Sequence, residues 1–206
     1  MLRKIFMVLL LVFNFVNAEQ QIGASLTADR NQLHLYDMDS GELTAMAPLL
    51  KGHFTLLWFY DDRCPYTIKS IPELKKFLAY LQDQYGDEIQ FIFVEALRRY
   101  PQEIQAFVDH FGFQGYKFYM APSMKTNTYM NVDSTPTLIV LDPFLNIVDK
   151  VEKQTIAPLY IRHIDYIMGQ YYKAMGYDED TWGPLINESA TDVLNKVKQY
   201  DPNMED

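Results

Sequence analysis

Cysteine is nearly absent from this chain: among 206 residues only Cys64 carries a thiol. No disulfide can close within one molecule, so stability has to come from a packed core. Positive charge is scarce as well, with Lys+Arg 18 against Asp+Glu 27 and a net charge of −9. That balance excludes non-specific binding to nucleic acid or to anionic lipid head groups. The 4 histidines, His34, His53, His110 and His163, are scattered without ligand spacing, so no metal site is expected. There is no phosphate-cradling P-loop, no dinucleotide glycine motif and no serine-hydrolase elbow, and no cofactor is expected. Internal repeats and low-complexity stretches are missing too.

One apolar run stands out. Arg3 and Lys4 precede Ile5–Phe13, and Val16-Asn17-Ala18 follows with the modest residues a signal peptidase reads. The run is shorter than the roughly 20 residues a membrane span needs, so it reads as a signal peptide over 1–18 rather than an anchor. No other stretch is long and apolar enough to span. The expected location is therefore outside the cytoplasm, in the periplasm or secreted. Removal of Arg3 and Lys4 would leave the exported chain more acidic still. Hydrophobic residues make up 49% of the sequence, ample for a core.

Residues 19–31 are polar and without period, and read as a flexible lead-in. Leu33–Tyr36 alternates like a short strand, Asp39-Ser40-Gly41 is a turn signal, and Glu42–Thr44 reads as the return strand. Met46–Leu50 reads as a short helix or turn. Phe54–Tyr60 is an almost continuous apolar run of strand length, as in a strand buried on both faces. A helix is expected from Cys64 to Tyr85, with Ile68, Ile71, Leu74, Leu78 and Leu81 as its core stripe, Pro72 as a kink and Gly86 as its stop. Ile89–Leu97 reads as a strand, Pro101–Phe111 as a helix and Ser123–Met130 as a short helix. Thr137–Leu141 and Ile147–Val151 read as a hairpin around Asp142–Asn146. Ile156–Tyr172 closes the pattern as a helix, with Ile156, Leu159, Tyr160, Ile164, Ile167 and Met168 inward. Residues 175–206 form an acidic extension in which Ser189–Tyr200 has an amphipathic helical stripe.

Cys64 sits where an apolar strand gives way to a helix, just before Pro65. A cysteine at a helix N-terminus is a nucleophile, because the aligned peptide dipoles stabilise its thiolate. Arg63 adds to that effect, and Asp61 and Asp62, read as a solvated loop, oppose it. Thr67 stands one helical turn on and could donate its hydroxyl to the sulfur.

The element order, with Cys64 at the head of its first long helix, resembles the thioredoxin fold, and more closely the exported TlpA/ResA-like branch of thioredoxin-like proteins. Leu33–Phe59 is similar to that branch's opening hairpin, its Lys-Gly turn and its first core strand. Cys64 and Pro72 keep the family spacing between the first redox cysteine and the kinking proline. Asp133-Ser134-Thr135-Pro136-Thr137 resembles the loop that presents a cis-proline opposite the active site. The resemblance covers about residues 32–172 of a domain read as 32–174. It implies an α/β architecture, a central mixed sheet flanked by helices, with an N-terminal hairpin and a C-terminal helical extension. It also implies catalysis at Cys64 with Thr67, and substrate contacts from Pro65, Tyr66, Thr135 and Pro136. Cys64-Pro65-Tyr66-Thr67 differs by one residue from the Cys-Pro-Tyr-Cys of glutaredoxins and of some conjugation-associated periplasmic relatives. Two departures matter: Thr67 replaces the second cysteine, and Arg63 stands where thioredoxins usually carry tryptophan.

Two functions follow from that pattern. In the first, Cys64 acts as a monothiol in thiol-disulfide exchange with protein thiols or disulfides, or with glutathione. The first thiolate attack survives, while resolution by a second thiol within the molecule is lost. In the second, the chain is a redox-inactive binding module, an assembly factor for an envelope, secretion or conjugation complex. A one-cysteine peroxidase is the weakest reading, since Asp61 stands where such an enzyme would carry threonine.

Overall fold

The computed structural model describes residues 34–152 and 156–174. The leader over 1–18, the segment 19–31 and the acidic extension 175–206 lie outside the described residues. Strand β1 (His34–Asp37) and β2 (Leu43–Ala45) form a hairpin, followed by the short helix α1 (Met46–Leu50). Then come β3 (Phe54–Tyr60), the long α2 (Pro65–Gln84), a 3₁₀ turn (Gly86–Glu88) and β4 (Ile89–Glu95). Helix α3 (Pro101–Phe111), β5 (Lys117–Met120), α4 (Met124–Tyr129), β6 (Thr137–Leu141), β7 (Ile147–Glu152) and α5 (Ala157–Ala174) complete the order.

The strands form one 7-stranded sheet in the order β2-β1-β5-β4-β3-β6-β7. Helix α2 crosses from β3 to β4, so these strands run parallel, with Phe54 opposite Ile89 and Tyr60 opposite Glu95. Strand β6 lies antiparallel on the other side of β3, with Phe59 opposite Thr137. The end of β3 and the start of β6 therefore meet at one edge of the sheet.

All seven residues of β3 are buried, as the unbroken apolar run predicts. Alternation sends Phe54, Leu56, Trp58 and Tyr60 to one face and Leu57 and Phe59 to the other. The first face packs against Ile71, Leu74 and Phe77 of α2, Ile104 and Phe107 of α3, and Tyr160, Ile161 and Ile164 of α5. The second is closed by Met46 and Leu50 of α1 and by Met130 and Val132 at the end of α4. Phe93 centres the larger core, stacked on Phe118 at 4.4 Å and edge-on to Trp58 at 5.5 Å. Burial of each such ring contributes about 1.5–3 kcal/mol.

Three expectations need correction. Strand β5 was not foreseen: Lys117–Met120 is four residues with no clean period, and its strand form depends on β4 and β1 pairing on either side. Ile68 is not part of the α2 stripe; it is 39% exposed. Ile156 and Leu159, expected inward, are exposed too. All three stand in or beside the first turn of a helix, at the edge where β3 ends and β6 begins, and there the sheet no longer underlies the helix.

Helices α2 and α5 are tied by a buried polar cluster. Asp165 of α5 is 1% exposed and accepts the hydroxyls of Tyr80, at 2.8 Å, and Tyr85, at 2.6 Å. A buried carboxylate is tolerable only with such donors. Glu73 of α2 accepts the backbone N–H of Ala157 at 3.0 Å.

Candidate functional site

Strand β3 ends at Tyr60 and the chain turns through Asp61, Asp62 and Arg63 to Cys64, the residue that caps α2. The Cys64 N–H donates to the Asp61 carbonyl at 3.0 Å, and the Cys64 carbonyl accepts the first helical bond, from Ile68, at 3.1 Å. Pro65 takes the first helical position, where a missing N–H costs nothing and a fixed φ is already helical. The cysteine thus sits at the positive end of a 20-residue helix.

The loop before β6 closes the other side. Its Thr135–Pro136 peptide bond is cis. The Cys64 thiol donates to the Thr135 carbonyl at 3.2 Å. Cys64 and Thr135 are half-buried, Pro136 and Thr67 are buried, and Pro65 and Tyr66 are exposed. The geometry brings together Cys64, Thr67, Thr135 and Pro136, and leaves Pro65 and Tyr66 on the rim, with Tyr66 61% exposed.

Burial alone would raise the Cys64 pKa. The Thr135 side chain, the backbone N–H groups of Thr67 and Tyr66 and the Thr67 hydroxyl outweigh it, and the thiol falls below its ordinary range. The Thr67 hydroxyl makes no well-formed hydrogen bond while the sulfur is protonated. It is a fully buried donor without an acceptor, beside a sulfur that becomes one on ionisation.

Asp61 and Asp62 are not a solvated loop. Their side chains are only 14% and 16% exposed and both pair with Arg99, which donates Nη2 to Asp61 at 2.9 Å and Nε to Asp62 at 3.0 Å. Burial pushes Asp61 upward, but the Arg99 guanidinium and the Arg63 N–H hold it below the usual carboxylate range. Burial, with its neighbour Asp61, raises Asp62. Arg63 pairs with Glu103 of α3. Arg99 and Glu95 were missed from sequence. The only signal for them was the pairing of two carboxylates before Cys64 with an arginine beyond the next strand. Among the described residues no three of His, Cys, Asp and Glu gather as a metal site.

Compared by sequence, the chain matches no protein-family model and no curated protein. Compared by structure, it is similar to MTB dsbF, at 20% identity and a TM-score of 0.55, over 66% of this chain and 94% of that one. It is also similar to a secreted Mycobacterium tuberculosis disulfide oxidoreductase homologous to E. coli DsbE, at 16% identity and a TM-score of 0.50, over 84% of this chain and 99% of that one. A third likeness is to the thioredoxin domain of a thiol-disulfide oxidoreductase from Bacteroides vulgatus, at 16% identity and a TM-score of 0.51, over 64% and 91%. At these identities the likeness establishes the fold: a mixed sheet flanked by helices, the thioredoxin fold. Among the described residues no helix is long and apolar enough to cross a membrane.

Proposed function

We propose that this protein is an exported, TlpA/ResA-like monothiol that carries out thiol-disulfide exchange through Cys64. The observation that carries the reading is the placing of Cys64 at the head of α2 against the Thr135 carbonyl at 3.2 Å, with its pKa lowered. The Cys64 thiolate attacks one sulfur of a disulfide. A new sulfur–sulfur bond forms to Cys64, the old one breaks, and the other sulfur leaves as a thiolate. With Thr67 at the resolving position the adduct persists until an external thiol, glutathione or a protein cysteine, displaces it. Thr67 supports the thiolate, while Tyr66 and the Thr135-Pro136 backbone contact the incoming chain. The basic and apolar start of the sequence supports export, and one structural neighbour is described as secreted.

The test is the rate of Cys64 alkylation by iodoacetamide against pH on the folded protein, followed by trapping with glutathione disulfide. A titration midpoint well below a free thiol, and a mixed disulfide of one glutathione per chain, are expected. A midpoint at or above a free thiol would leave the redox-inactive binding module in its place.

A further inference from the structure

Arg99 lies 35 residues beyond Cys64 in sequence and does not touch it, yet the turn that presents the sulfur is built on it. Its guanidinium reaches Asp61 and Asp62 at once, at 2.9 and 3.0 Å. Asp61 in turn accepts the Arg63 N–H on its side chain at 3.1 Å and the Cys64 N–H on its carbonyl at 3.0 Å. The grip therefore passes from Arg99 through Asp61 to the backbone of Cys64.

The segment that carries Arg99 is itself held. Glu95, fully buried at the end of β4, accepts the N–H of Leu97 and that of Arg99, each at 2.9 Å. Ala96 donates to the Tyr60 carbonyl at 2.9 Å and accepts from Asn127 at 2.8 Å. Between Leu97 and Arg99 the backbone takes a left-handed turn at Arg98, φ +59°, which a residue with a Cβ adopts only at a cost. Two N–H groups on one carboxylate compensate it. A strained loop pinned at four points, ending on an arginine that takes two carboxylates, is a built device.

Its electrostatic sense is clear. Asp61 and Asp62 lie three and two residues before Cys64, and each acts on the other's ionisation. Unneutralised, they would oppose a negative sulfur. The other groups around the turn do not replace Arg99: Arg63 is paired with Glu103, Glu95 is itself a carboxyl, and the Tyr60 hydroxyl is buried and neutral.

We propose that Arg99 is a positioning residue for Cys64, neutralising Asp61 and Asp62 and holding their turn so that the sulfur can ionise. The inference rests on the reading of Cys64 as a reactive thiol. A lysine cannot substitute fully, because the two bonds leave one planar fork toward two different carboxylates.

The experiment is the pH dependence of Cys64 alkylation by iodoacetamide in the full chain, compared for wild type, R99Q, R99K and R99Q/D61N/D62N, with circular dichroism to confirm folding. R99Q is expected to move the alkylation curve to higher pH and slow the reaction at pH 7 about five- to tenfold, with the high-pH plateau rate unchanged, as an uncompensated nearby charge does. R99K, which keeps the charge and serves should R99Q fold poorly, is expected to fall between. The triple variant is expected to return toward wild type, since it has no carboxylates left to neutralise. An R99Q curve superimposed on a low-titrating wild type, or a triple variant as slow as R99Q, would overturn the role of Arg99 and leave the Cys64 reading intact. A wild type that titrates as a free thiol would overturn both.

Discussion

The thiol of Cys64 donates to the backbone carbonyl of Thr135, 71 residues away, at 3.2 Å. The bond holds the proton on a sulfur that its other neighbours would rather see ionised. Loss of the proton exchanges one bond, to a carbonyl acceptor, for several from donors: the N–H groups of Tyr66 and Thr67 and the hydroxyls of Thr67 and Thr135. The folded protein thus contains both halves of a proton-release step around one atom.

The stability of the protein should record this. The Cys64 pKa is lower folded than unfolded, so the thiolate stabilises the fold fully above the unfolded pKa, and that gain is lost as pH falls through the folded pKa. Thermal midpoints of wild type minus C64S, measured under reducing conditions from pH 5 to pH 9, should rise with pH. A flat difference would mean the sulfur titrates alike in both states.

Thr67→Val separates stability from chemistry. It keeps the shape and removes a buried hydroxyl that has no formed hydrogen bond in the resting protein. Stability should increase by about 1 kcal/mol in urea titration, because an unsatisfied buried group is lost. Cys64 alkylation at pH 7 should slow, because a thiolate donor is lost with it. An unchanged alkylation rate would mean that Thr67 only fills space.

Thr67→Cys restores a Cys-x-x-Cys pair at the head of α2. Mixed disulfides at Cys64 should then resolve within the molecule, releasing the bound thiol without added reductant. Mass spectrometry of the glutathione adduct over time checks this: a persistent adduct in wild type, its decay in the variant.

Phe93→Ala should cost about 3–5 kcal/mol, the usual price of a large ring deleted from a core. Phe93 is fully buried and touches Phe118, Trp58 and Phe113 from three directions, so little can move in to fill the space. Urea unfolding of the variant measures the loss.

His163 of α5 faces Asp149 of β7 at 2.8 Å, and that hydrogen bond raises its pKa against partial burial and the nearby Arg162. A pKa raised on folding stabilises below the unfolded value and is lost as pH rises through the folded one. The stability difference between wild type and D149N should therefore be larger at pH 5.5 than at pH 8.5. An equal difference at both would assign Asp149 a purely neutral role.

Much of the fold is legible in the chain because local and tertiary demands agree. Phe54–Tyr60 and Pro101–Phe111 carry their own bounds: an apolar run closed by Asp61, and a proline start with a glycine stop. Lys117–Met120 does not, because its strand state is imposed by two neighbours brought from elsewhere. The Cys64 side of the site was legible for the same reason, as a strand, a turn and a helix start in one segment. Glu95 and the pairing of Asp61 and Asp62 with Arg99 were not, since their meaning comes from contacts across the sheet edge that no spacing records. Ile68, Ile156 and Leu159 show the limit of periodicity: a stripe says which side of a helix is apolar, and not how far the sheet beneath it extends.

Pro72 divides α2 into unequal parts. It has no N–H to offer the Ile68 carbonyl, so the helical ladder is interrupted in the second turn. Beyond it, Glu73 holds Ala157 and Tyr80 and Tyr85 hold Asp165. Before it, Pro65, Tyr66, Ile68 and Lys69 face solvent. The bonds that tie α2 to α5 and the sulfur at its head thus lie on opposite sides of one missing hydrogen bond.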